Sequence, residues 1–190
     1  MGKYLQIGDK ADVRAFPGAT VRRLTDEVAF DNVQVAGYAR ILIHVGCNDI
    51  SDLVGKRRYR HVSIFDMMAR FRVLRAVIHN KNSTAVVLFS SVLPRQDRYS
   101  IFRPYIQGLN FALEKLCAKS AGASVFVPSF RIFLSGGKPR AELFAESDGL
   151  HLNGAGSVML NACFQQAFTA GFLRTRLRCN YTRKLAALPY

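Results

Sequence analysis

The sequence predicts an α/β fold built on a doubly wound parallel sheet. Short runs rich in β-branched residues alternate with longer amphipathic stretches, as expected for buried parallel strands covered by helices. The chain has 190 residues and is 49% hydrophobic, which is enough for one core and too little for two comfortable domains. We therefore expect one domain over residues 1–172, followed by a basic tail over residues 173–190.

Four short apolar runs are the predicted strands. They are Val13–Phe16, Arg40–Val45 ("RILIHV"), Ala85–Ser90 ("AVVLFS") and Ser124–Val127 ("SVFV"). Apolar residues at three- and four-residue spacings predict the helices, which are Phe65–His79, Arg103–Ser120 and about Gly154–Phe172. Ligands of a doubly wound sheet bind at the carboxyl ends of its strands. The polar residues that follow the predicted strands are therefore the candidates for function.

Two possible hydrogen-bond donors follow the first two predicted strands. Gly18 lies in "PGATV" and Asn48 lies in "GCNDI". A glycine N–H that a ligand can approach and an asparagine amide are the kind of donors that stabilise a tetrahedral oxyanion. Both residue types are also common in ordinary turns, so each motif alone leaves the two interpretations open.

An acid and an imidazole, Asp148 and His151, lie in "ESDGLHLNGAG" directly before the last predicted helix. A carboxylate at this spacing can bond one ring nitrogen and leave the other nitrogen free as a general base. The same spacing also fits an aspartate that caps a turn beside a surface histidine. The pair alone does not decide between these two roles.

In this order and on these strand ends, the motifs resemble the SGNH hydrolases, also called the GDSL family of esterases and lipases. The second, third and last blocks of that family are matched by Gly18, by "GCND" with Asn48, and by "DGLH" with Asp148 and His151. The resemblance implies a flavodoxin-like strand order, hydrolysis of acyl or acetyl esters by a Ser-His-Asp triad, and Gly18 and Asn48 as the oxyanion donors. We expect no cofactor.

The first block of the family, a Gly-Asp-Ser that carries the nucleophile, has no counterpart here. "IGDK" has Lys10 in place of the serine and lies too close to Gly18 for a crossover between parallel strands. We therefore expect this block to lie upstream of Met1, the central nucleophile-bearing strand to be missing from this chain, and the chain to be inactive as written.

No other residue is assigned as the nucleophile. Cys47 occupies the variable position of the third block, and Ser90 and Ser91 end a strand too remote in sheet order to face His151. Without a central strand, the strand at residues 13–16 could stay in place and leave a slot, or slide until it pairs with the strand at residues 40–45; we expect the slide, because it satisfies the backbone hydrogen bonds. This movement would carry the second block away from its family position.

The net charge of +14 favours contact with polyanions. The densest basic clusters are Lys56, Arg57, Arg58 and Arg60 with Tyr59 between them, and Arg174, Arg176, Arg178 and Arg183 near the C-terminus. A solvated basic surface and a nucleic-acid contact both fit these clusters. We expect an intracellular protein, cytoplasmic or nuclear, because the chain as given has no signal peptide and no apolar run long enough for a membrane span.

The four cysteines, Cys47, Cys117, Cys163 and Cys179, are widely spaced. Their spacing fits neither a zinc site nor a disulfide scaffold, so we expect no metal site and a reducing compartment.

The sequence resembles still more closely the SGNH-like domains of animal retroelements. This resemblance rests on the stretches "VRAFPGATV", "ILIHVGCNDI", "SSVLPR" and "LFAESDGLHLNGAG". These SGNH-like domains include esterase domains in first-reading-frame proteins of LINE-type retrotransposons, and members of the group accompany RNA-handling machinery. Two functional classes therefore remain. One is an acyl-ester hydrolase whose chain has been shortened, and the other is a non-catalytic, retroelement-derived domain that binds RNA or single-stranded DNA.

Overall fold

The computed structural model describes residues 11–55 and 63–170. Its helices are α1 (Val21–Ala29), α2 (Cys47–Gly55), α3 (Ile64–Lys81), α4 (Tyr99–Ala118) and α5 (Gly154–Ala170). Its strands are β1 (Arg40–Ile43), β2 (Val86–Ser90), β3 (Ser124–Val127) and the short antiparallel pair β4 (Leu134–Ser135) and β5 (Lys138–Pro139). Single 3₁₀ turns cover Phe130–Phe133 and Ala141–Leu143.

The main sheet is parallel, with the order β1-β2-β3. Arg40 pairs with Val86, and Val87 pairs with Ser124. Helix α3 lies in the connection from β1 to β2, and α4 lies in the connection from β2 to β3, as parallel neighbours require. The predicted α/β fold with a parallel sheet is confirmed.

Side chains on the two faces of the sheet pack into two separate cores. Ile43 of β1 belongs to a core formed with α1, α2, α3 and α4, whereas its neighbour Leu42 packs against a core formed with α5 and residues 132–144. Alternate residues of a strand point to opposite faces, which explains this division. Helices therefore cover both faces of the sheet, as in a doubly wound fold.

The predicted strand at Val13–Phe16 is wrong, because these residues have no regular secondary structure. Their side chains are exposed or only half-buried, so the short apolar run has no surface to pack against as a strand would. β1 pairs only with β2, and among the described residues no strand lies along the other edge of β1. The expected slide onto β1 is therefore also wrong.

The two long central helices were predicted, with boundaries a few residues from those observed. A capping box starts α3: the Ser63 Oγ accepts a hydrogen bond from the Asp66 N–H, and the Asp66 carboxylate accepts one from the Ser63 N–H. Apolar residues at the predicted spacing are buried along α3, namely Met67, Met68, Phe71, Leu74 and Ile78. Within the described ranges, no helix is both long and apolar enough to cross a membrane.

Helices α1 and α2 were not predicted. The Thr20 hydroxyl accepts a hydrogen bond from the Arg23 N–H at 3.3 Å and caps α1. α2 begins inside "GCNDI", directly after Gly46, whose φ of +119° turns the chain from the strand into the helix. β1 accordingly ends at Ile43, two residues before the predicted end.

Helix α5 starts unusually close to the backbone at residue 143. A Cβ atom on Gly156 would lie 2.1 Å from the Leu143 carbonyl oxygen, whereas a Cβ atom on Gly154 would have no neighbour within 4 Å. The Asn153 amide donates to the carbonyls of Glu142 and Phe144, and its Oδ1 accepts from the Gly156 N–H. Asn153 therefore caps α5 and fastens it to this backbone.

We predict that Gly156→Ala destabilises the fold by about 1–3 kcal/mol, the usual cost of forcing extra volume into a packed contact. Gly154→Ala is the matched control and should be neutral or slightly stabilising, because alanine favours helix and meets open space there. Thermal unfolding of both variants measures the difference. Equal melting temperatures would contradict the close approach of α5 to residue 143.

Candidate active site

The first side of the candidate site joins the loop at Gly18 to the start of α2. Gly18 has a φ of +70°, a conformation that favours glycine, and its N–H donates to none of the described residues. Asn48 donates one side-chain N–H to the Ala19 carbonyl oxygen at 3.0 Å. An amide NH₂ carries two donors, so this bond leaves the second N–H of Asn48 for a ligand beside the Gly18 loop.

Asp49, the next residue, fixes the position of this loop. Its side chain is fully buried, and its carboxylate accepts a hydrogen bond from the Val21 N–H at 2.9 Å and another from Arg70 at 3.3 Å. Burial raises the pKa of Asp49, and the bonds from Val21 and Arg70 oppose that rise. Because Val21 is the first residue of α1, the carboxylate joins α1 and α3 to α2.

The second side of the candidate site is the pair Asp148 and His151. The His151 Nδ1 lies 2.5 Å from one Asp148 carboxylate oxygen. The other oxygen accepts the backbone N–H groups of Leu150 at 2.8 Å and His151 at 2.9 Å. The hydrogen bond from the His151 side chain, followed by these two backbone bonds, lowers the pKa of Asp148 to about 2.

This geometry leaves the other ring nitrogen of His151 available. The His151 Nε2 makes no hydrogen bond to the described residues, and 60% of the side chain is exposed. A carboxylate bonded to Nδ1 favours the tautomer with its proton on that nitrogen, so that Nε2 can accept a proton. The pair can therefore act as an oriented general base at the surface of the domain.

The backbone of Gly149 attaches this pair to the loop that follows β2. Its carbonyl oxygen accepts the Gln96 N–H at 2.8 Å and the Asp97 N–H at 3.4 Å. Gly149 has a φ of +60°, and a Cβ atom would lie 3.1 Å from the Asp97 nitrogen. Glycine is therefore required both by the turn and by the close approach of the two loops.

The sequence matches the profile of the GDSL-like Lipase/Acylhydrolase family over residues 3–158. The chain belongs to this family. Comparison with curated proteins found no match.

Solved structures have the same fold. One is a GDSL-like lipase from Bacteroides thetaiotaomicron, with a TM-score of 0.63 and 20% sequence identity, covering 80% of this chain and 72% of that chain. Another is a carbohydrate esterase of family 3 from Talaromyces cellulolyticus, with a TM-score of 0.60 and 13% identity, covering 80% and 67%. A mutant acetyl esterase with an acetate ion has a TM-score of 0.61 and 13% identity, with the same two coverages.

We predict that the two sides of this GDSL-like site face each other across a shallow cleft. Within the described residues, no hydrogen bond joins Gly18 or Asn48 directly to Asp148 or His151. A cavity of about 590 Å³ lies beside the second side. It is lined by Gln96, Asp97, Ala141, Glu142, Glu146, Asp148 and Gly149, so it borders Asp148 and does not include Gly18 or Asn48.

The residues considered as substitute nucleophiles are poorly placed for that role in a GDSL-like site. Burial raises the pKa of the Cys47 thiol, which keeps it protonated. Ser90 and Ser91 are at most 2% exposed, and both hydroxyls lie within hydrogen-bond distance of the Ser129 hydroxyl. Lys10 lies outside the described residues.

The remaining predicted binding residues cannot be placed. The basic clusters at residues 56–60 and 174–183 lie outside the described residues, as does the predicted tail at residues 173–190. In the described part of the chain, no group of three or more His, Cys, Asp or Glu side chains could hold a metal ion.

Three residues that organise the site were not identified from the sequence. They are Asp49, Asn153 and Arg95. Asp49 bonds Val21 and Arg95 bonds Ser51, which are distant in the chain, whereas Asn153 bonds Glu142, 11 positions earlier. Asp49 stands in the family block "GCND" and Asn153 directly before α5, where an N-cap residue is expected. These two residues could therefore have been identified from their positions in the sequence. Arg95 gave none beyond its place after a predicted strand.

We predict that the Asp148 carboxyl titrates near pH 2 and that His151→Ala raises this pKa, because its largest cause is lost. Since a pKa lowered by folding favours the ionised form, the contribution of this carboxylate to stability is complete above about pH 4 and is lost as the pH falls toward 2. Carboxyl carbon NMR across this range measures the change. Asp66, whose pKa is lowered by Ser63, is the internal control and should be unaffected; an unchanged Asp148 would contradict the pairing.

Proposed function

We propose that this GDSL-like chain is an acyl-ester hydrolase domain that supplies the base and oxyanion groups but no nucleophile of its own. The observation that carries the proposal is the Asp148–His151 pair, with Nε2 of His151 free of any partner among the described residues. Membership of an acylhydrolase family makes ester chemistry the simplest use for such a base.

The proposed roles follow from the chemistry of acyl transfer. His151 Nε2 takes the proton of an attacking hydroxyl, and Asp148 holds the ring and stabilises the imidazolium that forms. The Gly18 N–H and the second N–H of Asn48 donate to the oxyanion that develops on the carbonyl oxygen. No serine among the described residues hydrogen-bonds His151, so the attacking serine is the group that this proposal leaves unsupplied.

We predict that the chain as written has no serine-esterase activity on short acyl esters. A version extended at its amino end by a strand that ends in Gly-Asp-Ser should hydrolyse them. In that version His151→Ala should remove nearly all turnover, because an unassisted serine hydroxyl is a poor nucleophile at neutral pH. Asn48→Ala should reduce kcat about 10²-fold, the usual scale for one lost oxyanion donor.

A steady-state assay with 4-nitrophenyl acetate compares these chains, and substitution of the added serine by alanine is the matched control. Hydrolysis by the unextended chain would refute the absence of a nucleophile. An active extended version that is indifferent to His151→Ala would refute the role of the base.

A second candidate function, non-catalytic binding of RNA or single-stranded DNA, is favoured by the distribution of charge. The described residues contain 16 basic and 12 acidic side chains, whereas the remainder of the chain contains 11 basic side chains and one acidic side chain. Most of the net positive charge of +14 therefore belongs to the segments outside the described residues. The resemblance to SGNH-like domains of retroelements also supports this candidate.

We predict weak, sequence-independent binding through residues 56–61 and 174–183, with Tyr59 available for stacking on bases. About four phosphate contacts would give a slope near −3 when the logarithm of the affinity for a single strand is plotted against the logarithm of salt concentration. Fluorescence anisotropy with labelled oligonucleotides measures this slope.

Charge reversal tests whether nucleic-acid binding depends on these segments or on the basic residues of the described surface. Glutamate at positions 56, 57, 58 and 60 should abolish much of the binding. The control reverses four exposed basic residues of the described part, Arg22, Arg72, Lys119 and Arg131, and should weaken binding less although the net charge changes equally. Equal losses in the two variants, or an affinity insensitive to salt, would reject the candidate.

A further inference from the structure

We propose that Arg95 is a positioning residue that couples the oxyanion side of the site to its base side. The coupling is a structural property of this chain, and its consequence for turnover rests on the function proposed above. Arg95 lies in the loop between β2 and α4, touches neither the reacting atoms nor the pair at residues 148 and 151, and acts through its neighbours.

One end of the coupling is α2, the helix that carries Asn48. An Arg95 guanidinium N–H donates to the Ser51 hydroxyl at 2.5 Å. That hydroxyl in turn donates to the Cys47 carbonyl oxygen at 3.1 Å. Cys47 and Ser51 lie on either side of Asn48 in the first turns of α2, so these bonds hold Arg95 against the part of the helix that presents the amide.

The other end is the loop that carries the base. Arg95 binds Asp97 through two parallel bonds, one from Nε at 2.8 Å and one from the terminal nitrogen at 2.7 Å. The backbone N–H groups of Gln96 and Asp97 then donate to the Gly149 carbonyl oxygen, one residue after Asp148. The orientation of residues 95–97 therefore sets the position of the turn that holds His151.

The surroundings of Arg95 favour an arginine over a lysine at this position. Its side chain is only 8% exposed, and the guanidinium lies over the Phe102 ring at 3.9 Å from the centroid. Desolvation is the largest effect and opposes its charge, but the hydrogen bonds and charge of Asp97, together with the contact to Cys47, outweigh desolvation and raise the pKa of Arg95. The planar fork of an arginine satisfies a carboxylate, a hydroxyl and an aromatic face together, which a lysine cannot do.

The loop is also anchored where it leaves β2, so it cannot adjust freely if Arg95 is lost. The Asn110 side chain of α4 accepts the Val92 N–H at 2.8 Å and donates to the Val92 carbonyl at 2.9 Å. With Val92 fixed, the segment from residue 93 to residue 97 is oriented by the Arg95 contacts. Removal of these contacts should loosen the Gly149 turn while the core remains folded.

The experiment measures the Asp148–His151 side of the site after substitutions at Arg95, the residue that joins this side to α2. In the full chain, Arg95→Met keeps an apolar stem over Phe102 and removes every hydrogen bond, and Arg95→Lys keeps only the charge. Both variants should raise the Asp148 titration midpoint, by about one pH unit for Arg95→Met. The Gln96 N–H that bonds Gly149 should exchange with solvent about ten times faster.

Ser51→Ala makes the test independent of whether the Arg95 variants fold. It removes the α2 contact alone, and it should move both measurements in the same direction by a smaller amount. Thr25→Val is the matched control, because Thr25 makes the same bond to the carbonyl four residues earlier but hydrogen-bonds none of residues 95–97. The proposal would be overturned if the Ser51→Ala variant kept the wild-type Asp148 midpoint and the wild-type Gln96 exchange rate. The same result for a folded Arg95→Met variant would also overturn it.

An activity assay distinguishes failure of the proposed function from failure of the coupling. In the version extended by Gly-Asp-Ser, Arg95→Lys should lower kcat about ten-fold with KM nearly unchanged, because misplacement of the base acts on the chemical step. If no version hydrolyses esters while the Asp148 and Gln96 measurements still change, the function is rejected and the coupling stands. Hydrolysis with an unchanged Arg95→Lys kcat would reject the effect of the coupling on turnover and leave the function in place.

Discussion

The buried carboxylate of Asp49 is the interaction on which the positions of Gly18 and Asn48 depend. A charge without solvent is costly unless it is hydrogen-bonded and paired, and this one is satisfied only when Val21 and Arg70 both reach it. The first residue of α1, the second turn of α3 and the start of α2 must therefore meet at one point. Because Gly18 lies three residues before Val21, this meeting also determines where the glycine loop can lie.

The base side is held by a different kind of interaction. Among the described residues, no buried charge bonds residues 148–151; this segment is held by the Gly149 carbonyl, by the Asn153 side chain and by the absence of a side chain at Gly156. These contacts use the backbone, so they locate the chain closely without burying the imidazole. The result is an exposed histidine on a firmly placed turn, which suits a group that must reach a substrate.

How much the sequence could predict depends on whether a feature is local. The bond between Asp148 and His151 spans three residues, and the apolar spacing of α3 belongs to one helix, so both could be inferred from the chain itself. Val13–Phe16 has the composition of a strand, but a strand needs neighbours, and none of the described strands lies beside it. Arg95 is informative only through Ser51 and Gly149, which are distant in sequence and adjacent in the fold.

The register of the main sheet has a consequence for how the chain folds. Arg40 pairs with Val86, 46 positions later, and Val87 pairs with Ser124, 37 positions later. Neither pairing can form until a long loop has closed, and loop closure costs entropy before any contact offsets it. The capped helix α3 and the long α4 lie inside these loops and can form from local contacts alone. We therefore expect the helices to precede the sheet during folding, with the strands exposed in the interval.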